Sequence, residues 1–202
     1  MLKSFRSLSN LELMEIIPKS KSRNKVLSVL KRGGVVIFPT DTVYGFLADA
    51  ANKKAVENIF KIKNRPRSKP LSLFVKDMKM ANEVAVIDEE RIKILNKFWP
   101  GNHTFILKRK KIKLYGLKKS SIALRIPNYK PLNDILNKIE KPLVQTSVNI
   151  SGTKPLNSIN DIMREFGNDK RVSLIVSGGN LRSKKPSKII DLSKNNPNVL
   201  RK

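Results

Sequence analysis

The sequence predicts an α/β domain, a single twisted mixed sheet flanked by helices, on three observations. Continuous apolar runs at residues 35–38 and 71–75 have the pattern of strands buried on both faces. Stretches with helical spacing and recognisable caps alternate with them. That alternation becomes uneven after Trp99, which argues for a mixed sheet and against a purely parallel one. With 202 residues, no internal repeat and no linker-like stretch, the chain reads as one domain over 1–202 with enough length to bury a core.

The elements follow in order. Ser22 precedes Val26, Leu27, Val29 and Leu30 at helical spacing and Gly33-Gly34 follows, so a cap, an apolar face and a stop predict a helix over 23–32. After the strand at 35–38, Asn52 caps a second helix carrying Ala55, Val56, Ile59 and Phe60. A basic loop at 63–70 leads into the strand at 71–75. Asp77 and Asp88 cap two short helices, the second ending at the turn Trp99-Pro100-Gly101. Strands at 104–107 and 122–126 enclose a Lys-rich connection, 108–119, that reads as a solvated hairpin or loop. A helix over 131–139, a strand at 143–146 and a loop at 147–156 come next. Ser158 then caps a helix bearing Ile159, Ile162, Met163 and Phe166 that stops at Gly167, and strands at 174–176 and 189–192 follow. The tail-like portion, 185–202, keeps Ile189-Ile190 and Val199-Leu200, which predict that it packs on the body.

Composition excludes several classes. No Cys means no disulfide, thiolate nucleophile or Cys-ligated metal, and the single His103 rules out a multi-His metal site. The apolar runs are far shorter than the roughly 20 residues a membrane helix needs. Residues 1–10 are polar and mixed, unlike a signal peptide, so a cytoplasmic location is expected. Lys and Arg number 42 against 16 Asp and Glu, a net charge of +26, so the surface must attract phosphates, nucleic acid or acidic lipid. Lys, Asn and Ile are abundant together, and biased base composition explains that charge as readily as a selected polyanion surface does.

Four loops stand at predicted strand ends, where α/β proteins place ligands. Pro39-Thr40-Asp41-Thr42-Val43-Tyr44-Gly45 brings two hydroxyls, a carboxylate and a phenol, as a ligand loop or as a self-satisfied turn. Lys63-Asn64-Arg65-Pro66-Arg67-Ser68-Lys69-Pro70 sets four cations between prolines, suited to a polyphosphate or simply solvated. Gln145-Thr146-Ser147-Val148-Asn149-Ile150-Ser151-Gly152 offers hydroxyls and amides to phosphate oxygens or to a helix cap. Arg125-Ile126-Pro127 puts a cation among strand residues, where it needs a carboxylate from a structural Asp or from a substrate. Neither a P-loop nor Gly-x-Gly-x-x-Gly occurs, and His103, just after Trp99-Pro100-Gly101-Asn102, is better placed for structure than as a triad base.

Taken with Trp99-Pro100-Gly101 and Pro186-Ser187-Lys188-Ile189-Ile190-Asp191, these loops resemble, in order and spacing, the YrdC family of threonylcarbamoyl-AMP synthases. The resemblance runs over about 27–201 and is to the short, single-domain TsaC-like form, since the chain ends soon after Arg201. It implies a YrdC-like fold with a basic concave face. It also implies an enzyme, a nucleotidyltransferase, that joins L-threonine, bicarbonate and ATP into threonylcarbamoyl-adenylate and pyrophosphate for the t6A base of tRNA.

Carried over residue by residue, the resemblance makes Lys63 and Arg65 the catalytic cations. Lys63, Arg65, Lys69, Ser121, Ser147, Asn149 and Arg201 bind the nucleotide, and Thr42, Arg125 and Ser187, with a main-chain group at Gln145, hold threonine. Mg²⁺ would bridge phosphate oxygens, with no protein-borne metal site. Phe74 stands where long forms have a threonine-binding His, Lys69 where they have Asn, and Asn102-His103 replaces Pro and an aliphatic residue. Val148 replaces Ala and Lys188 replaces Thr.

The chemistry suits the loops independently: a carbamate oxygen attacks the α-phosphorus and pyrophosphate leaves in line, so catalysis is mostly positioning and charge stabilisation. Expected partners are the downstream t6A-synthesis proteins, with weak binding to tRNA or double-stranded RNA and none to membrane. Two alternatives remain at this level: a non-catalytic double-stranded RNA or tRNA-binding module, and a carbamoyl-transfer domain of the hydrogenase-maturation type.

Overall fold

The computed structural model describes residues 16–181, 185–194 and 196–201. The signal-peptide reading of 1–10 lies outside them. In chain order the elements are β1 (Ile16–Pro18), a 3₁₀ turn (Lys19–Lys21), α1 (Arg23–Lys31), β2 (Val36–Phe38), β3 (Gly45–Asp49), α2 (Lys53–Ile62) and β4 (Ser72–Phe74). Next come α3 (Met78–Val84), β5 (Ala85–Val86), α4 (Glu89–Asn96), β6 (His103–Arg109), β7 (Ser121–Arg125), α5 (Lys130–Ile139) and β8 (Leu143–Ser147). The last are α6 (Ile159–Phe166), β9 (Leu174–Ser177), β10 (Lys188–Asp191) and β11 (Asn198–Arg201). The strands form one sheet in the order β1, β9, β2, β3, β8, β4, β7, β6, β10, β11, with β5 beside β6. Pairing is mixed: β4 with β7 and β6 with β10 are parallel, whereas β3 with β8 and β8 with β4 are antiparallel. Among the described residues no helix is long and apolar enough to cross a membrane.

Register makes one sheet face change character across its width. Direct pairings line up Val36, Leu47, Gln145, Ser72, Ala123, Ile106 and Asp191 on that face. The first two are fully buried under α1 and α5, which bring Val26, Leu30, Leu132 and Leu136 down onto them. From Gln145 onward no helix among the described residues covers the row, and the side chains, Ile106 apart, turn small or polar and line a cavity. Because side chains alternate faces along a strand, a one-residue slip would exchange this lining for the apolar set on the other face. That other face is continuously apolar: Phe46, Phe105, Leu107, Ile122 and Val144 pack there with α2, α3, α4 and α6.

The expected caps at Asn52, Asp77, Asp88 and Ser158 each accept a backbone N–H at the head of their helices. Ser22 does not. The 3₁₀ turn carries helical backbone through it, and its hydroxyl donates backward to the Lys19 carbonyl at 2.9 Å. At the other end Gly33, at φ +78°, takes the left-handed turn that ends α1, and Gly34 N–H returns to Val29 O at 2.9 Å. Four strands fall outside the predicted set: β1, β3, β5 and β11. β3 is fully buried but carries Gly45, Ala48 and Asp49, so nothing in it repeats as a strand does.

β6 extends through Arg109, and the rest of the connection, 110–119, is irregular but is not a merely solvated loop. Leu114 is buried in the main core, Tyr115 N–H donates to Ala50 O at 3.0 Å, and Gly116 O accepts Leu71 N–H at 2.8 Å. Gly116 has φ +74°, and a Cβ there would lie 2.8 Å from Val56 and 3.1 Å from Leu71. Gly116→Ala therefore combines backbone strain with a clash, and is expected to cost about 1–3 kcal/mol of stability in urea denaturation. A variant as stable as the parent would show that the segment is not anchored this way.

Candidate active site

The uncovered part of the sheet face is the floor of a cavity of about 470 Å³, within the range of small-molecule sites. Its lining includes five cations, Arg65, Lys69, Lys118, Arg125 and Arg201, against one carboxylate, Asp191. Such a lining selects for an anion. The cavity has two polar ends. Ser121 and Arg125 both line it from β7, four residues and about 13 Å apart at strand rise. Ser147 and the 65–70 loop share the Ser121 end, since β8 runs antiparallel to β4, which runs parallel to β7.

At the other end Arg125 is 1% exposed and held on three sides. Its Nη2 meets Asp41 Oδ2 at 2.6 Å, its Nη1 donates to Thr42 Oγ1 at 3.2 Å, and its Nε donates to Gly101 O at 2.7 Å. The guanidinium lies 5.6 Å from the centre of the Phe74 ring. Burial lowers its pKa below the ordinary arginine value, and Asp41 acts against that shift. Beside it Ser187 Oγ and Thr104 Oγ1 are 2.8 Å apart, and Arg201 donates through Nε to Ser187 O at 2.8 Å. A planar donor group ringed by hydroxyls is suited to a carboxylate that carries polar substituents.

At the Ser121 end Arg65 is fixed by the loop that carries it: Nε donates to Lys69 O and Nη2 to Pro70 O, each at 2.9 Å. Lys63 behaves differently. It is 1% exposed, and its ammonium donates to Ser147 O at 2.5 Å, Asn149 O at 2.7 Å and Asn149 Oδ1 at 3.0 Å. All three protons are spent. Asn149 is likewise internal, accepting from Ser147 Oγ at 2.7 Å and donating through Nδ2 to Ile150 O and Thr153 O.

This arrangement has known relatives. The family model for Sua5/YciO/YrdC, described as "Telomere recombination", matches residues 28–202. The chain belongs to the Sua5/YciO/YrdC family.

Within the family, a relative from Methanocaldococcus jannaschii is 38% identical over 85% of this chain and 83% of its own. The threonylcarbamoyl-AMP synthase of Neisseria meningitidis serogroup A is 30% identical over 85% of this chain and 92% of its own. Among solved structures, P. abyssi Sua5 complexed with L-threonine superimposes with TM-score 0.84 at 29% identity. That match covers 93% of this chain and 57% of the Sua5 chain, so the chain spans under two thirds of Sua5. E. coli YciO gives TM-score 0.84 at 26% identity over 94% of this chain and 96% of its own.

Of the site residues expected from the sequence, Thr42, Arg65, Lys69, Ser121, Arg125, Gln145, Ser147, Ser187 and Arg201 all line this one cavity of the Sua5/YciO/YrdC fold. Lys63 and Asn149 do not. The Lys63 ammonium instead donates to Ser147 O, Asn149 O and Asn149 Oδ1, so the pair braces the 147–153 loop, and Arg65 is the cation of that motif in the cavity lining. Gln145 presents its side chain, whose Nε2 donates to Ser72 Oγ at 2.6 Å, while its main-chain carbonyl accepts from that hydroxyl at 3.3 Å. The sequence reading missed Ser72 and Thr104, hydroxyls at single inward positions of otherwise apolar strands, and Asp41 as the partner of Arg125. It missed Lys118 too, which nothing distinguishes within its lysine run.

Burial, with the like charge of Arg65, lowers the Lys63 ammonium to about 7. The folded chain thus gives up this proton more readily than the unfolded chain, which binds more protons here between about pH 7 and 10. This group therefore makes stability rise with pH across that window. Lys63→Met removes the slope and leaves buried carbonyls without a donor, an expected loss of about 1–3 kcal/mol. Urea denaturation at about pH 7 and pH 9.5 checks it, the gap between parent and variant widening at the higher pH.

Proposed function

We propose that this cavity makes threonylcarbamoyl-AMP from L-threonine, bicarbonate and ATP. The observation that carries this reading is one sheet face holding a buried guanidinium among hydroxyls at one end and a cluster of cations and hydroxyls suited to phosphates about 13 Å away. The names and bound threonine of the relatives support the same reading.

Arg125, with Thr42 and Ser187, holds the threonine carboxylate and hydroxyl, using guanidinium hydrogens that Asp41, Thr42 and Gly101 do not occupy. The neutral threonine amine adds to bicarbonate with loss of water, giving a carbamate. Its oxygen attacks the α-phosphorus of ATP, and the bond to the β-phosphate oxygen breaks as pyrophosphate leaves. Arg65 and Lys69 balance the charge that gathers on the phosphates, and Ser121 and Ser147 donate to phosphate oxygens. Gln145 and Ser72, between the two ends, offer polar groups where the carbamate must pass. The product then serves the proteins that attach the group to tRNA.

The residues present do not make a resident Mg²⁺ site. Among the described residues no three metal-ligating side chains cluster. Among the described residues Asp191 is the only carboxylate in the lining, and its Oδ1 already accepts from Ser193 N at 2.8 Å and Oγ at 2.6 Å. Mg²⁺ therefore belongs to the substrate as MgATP.

Pyrophosphate release should require ATP, threonine and bicarbonate together; release indifferent to threonine and bicarbonate overturns the reading. Arg65→Ala is expected to raise the KM for ATP about tenfold to a hundredfold with little change for threonine. Arg125→Lys keeps a charge beside Asp41 but loses the planar fork, so it should raise the KM for threonine instead.

A further inference from the structure

We propose that Lys118 is a polyphosphate-binding residue of the cavity and that Arg109 is the positioning residue that puts it there. The proposal rests on the nucleotide reading of the site. Of the lysines at 108, 110, 111, 113, 118 and 119, only Lys118 lines the cavity. The loop reaches it by a built path. Arg109, the last residue of β6, donates through Nη1 to Lys118 O at 3.1 Å and through Nη2 to Ile112 O at 2.7 Å and Leu114 O at 3.0 Å. Its own N–H donates to Ser120 O at 3.0 Å. One guanidinium therefore closes both ends of the loop onto the strand, which suits the fixed fork of arginine and not the single point charge of lysine.

The same loop is tied to the opposite wall through Leu71 N–H and Gly116 O, directly after the 65–70 segment. Lys118 thereby joins Arg65 and Lys69 in one lining. Among the described residues its ammonium makes no hydrogen bond or ion pair. Bringing a third cation beside two others is unfavourable in the empty protein and is offset by an anion with several charges. Pyrophosphate, both the leaving group and the end of the ATP chain, has that chemistry.

The probe is inorganic pyrophosphate, titrated calorimetrically into the parent, Lys118→Ala and the neighbouring control Lys119→Ala. Lys118→Ala is expected to weaken binding about tenfold and Lys119→Ala to leave it within twofold. Arg109→Ala should weaken it similarly, and the double variant should add little, because both changes remove one contact. In turnover, Lys118→Ala should raise the KM for ATP and leave the KM for threonine unchanged. The proposal is overturned if the parent binds no pyrophosphate, if Lys118→Ala matches Lys119→Ala, or if it alters threonine instead. Should Arg109→Ala fail to fold, Lys118→Ala alone decides. Pyrophosphate binding through Lys118 without threonine-dependent turnover would sink the proposed reaction and keep this site; turnover with no effect at Lys118 would do the reverse.

Discussion

A guanidinium buried to 1% exposure is the constraint around which this molecule is arranged. Removing such a charge from water costs several kcal/mol unless partners replace the solvent. Arg125 draws those partners from separate parts of the chain: Asp41 and Thr42 from the loop before β3, and Gly101 from the turn after α4. Asn128 N–H also donates to Asp41 at 3.1 Å, so the carboxylate is itself held. The turn Trp99-Pro100-Gly101 thus supplies an acceptor to a strand cation, and its Gly101 N–H is fixed by Ile126 O at 2.9 Å. Arg125 also marks where the sheet face ceases to be apolar, with the Phe74 ring beside it and the open cavity beyond.

The cations divide by how their protons are used. Lys63 spends all of its protons on the 147–149 backbone and side chain, acting as a three-way clamp inside the protein. Arg65 and Arg201 each use part of a planar fork on nearby carbonyls and keep the remainder for the cavity. Two residues of one short motif, Lys63 and Arg65, therefore do different work because α2 ends between buried Ile62 and the exposed loop.

Much of this was legible in the sequence. Buried runs and side-chain caps located most helices and the interior strands, because burial and orphan N–H groups are local demands. The loops at the strand ends hold six residues that converge on one cavity, and the family resemblance added Ser121, Ser187 and Arg201. Less legible were features set by distant neighbours. β3 carries no periodic signal, since both its faces are buried and Gly45 sits where the chain enters the sheet. β11 is exposed along its length and exists only because β10 is there to pair with it. That the Lys63 ammonium reaches Ser147 O and Asn149 depends on the path of residues 147–153, more than eighty positions away. Ser22 failed as a cap because the turn before it was already helical.

The strands that floor the cavity meet across long stretches of sequence: Ser72 pairs with Gln145 and with Ala123, and Asp191 with Ile106. Contacts of this kind form slowly, since loop closure must precede any gain from pairing. No fragment of the chain holds the floor by itself, so partly folded species lack a competent site. Occupancy and global unfolding are then thermodynamically linked. A ligand present at a hundred times its dissociation constant would stabilise the whole fold by about 2.7 kcal/mol. For this architecture a melting curve is as direct a measure of substrate occupancy as a titration is.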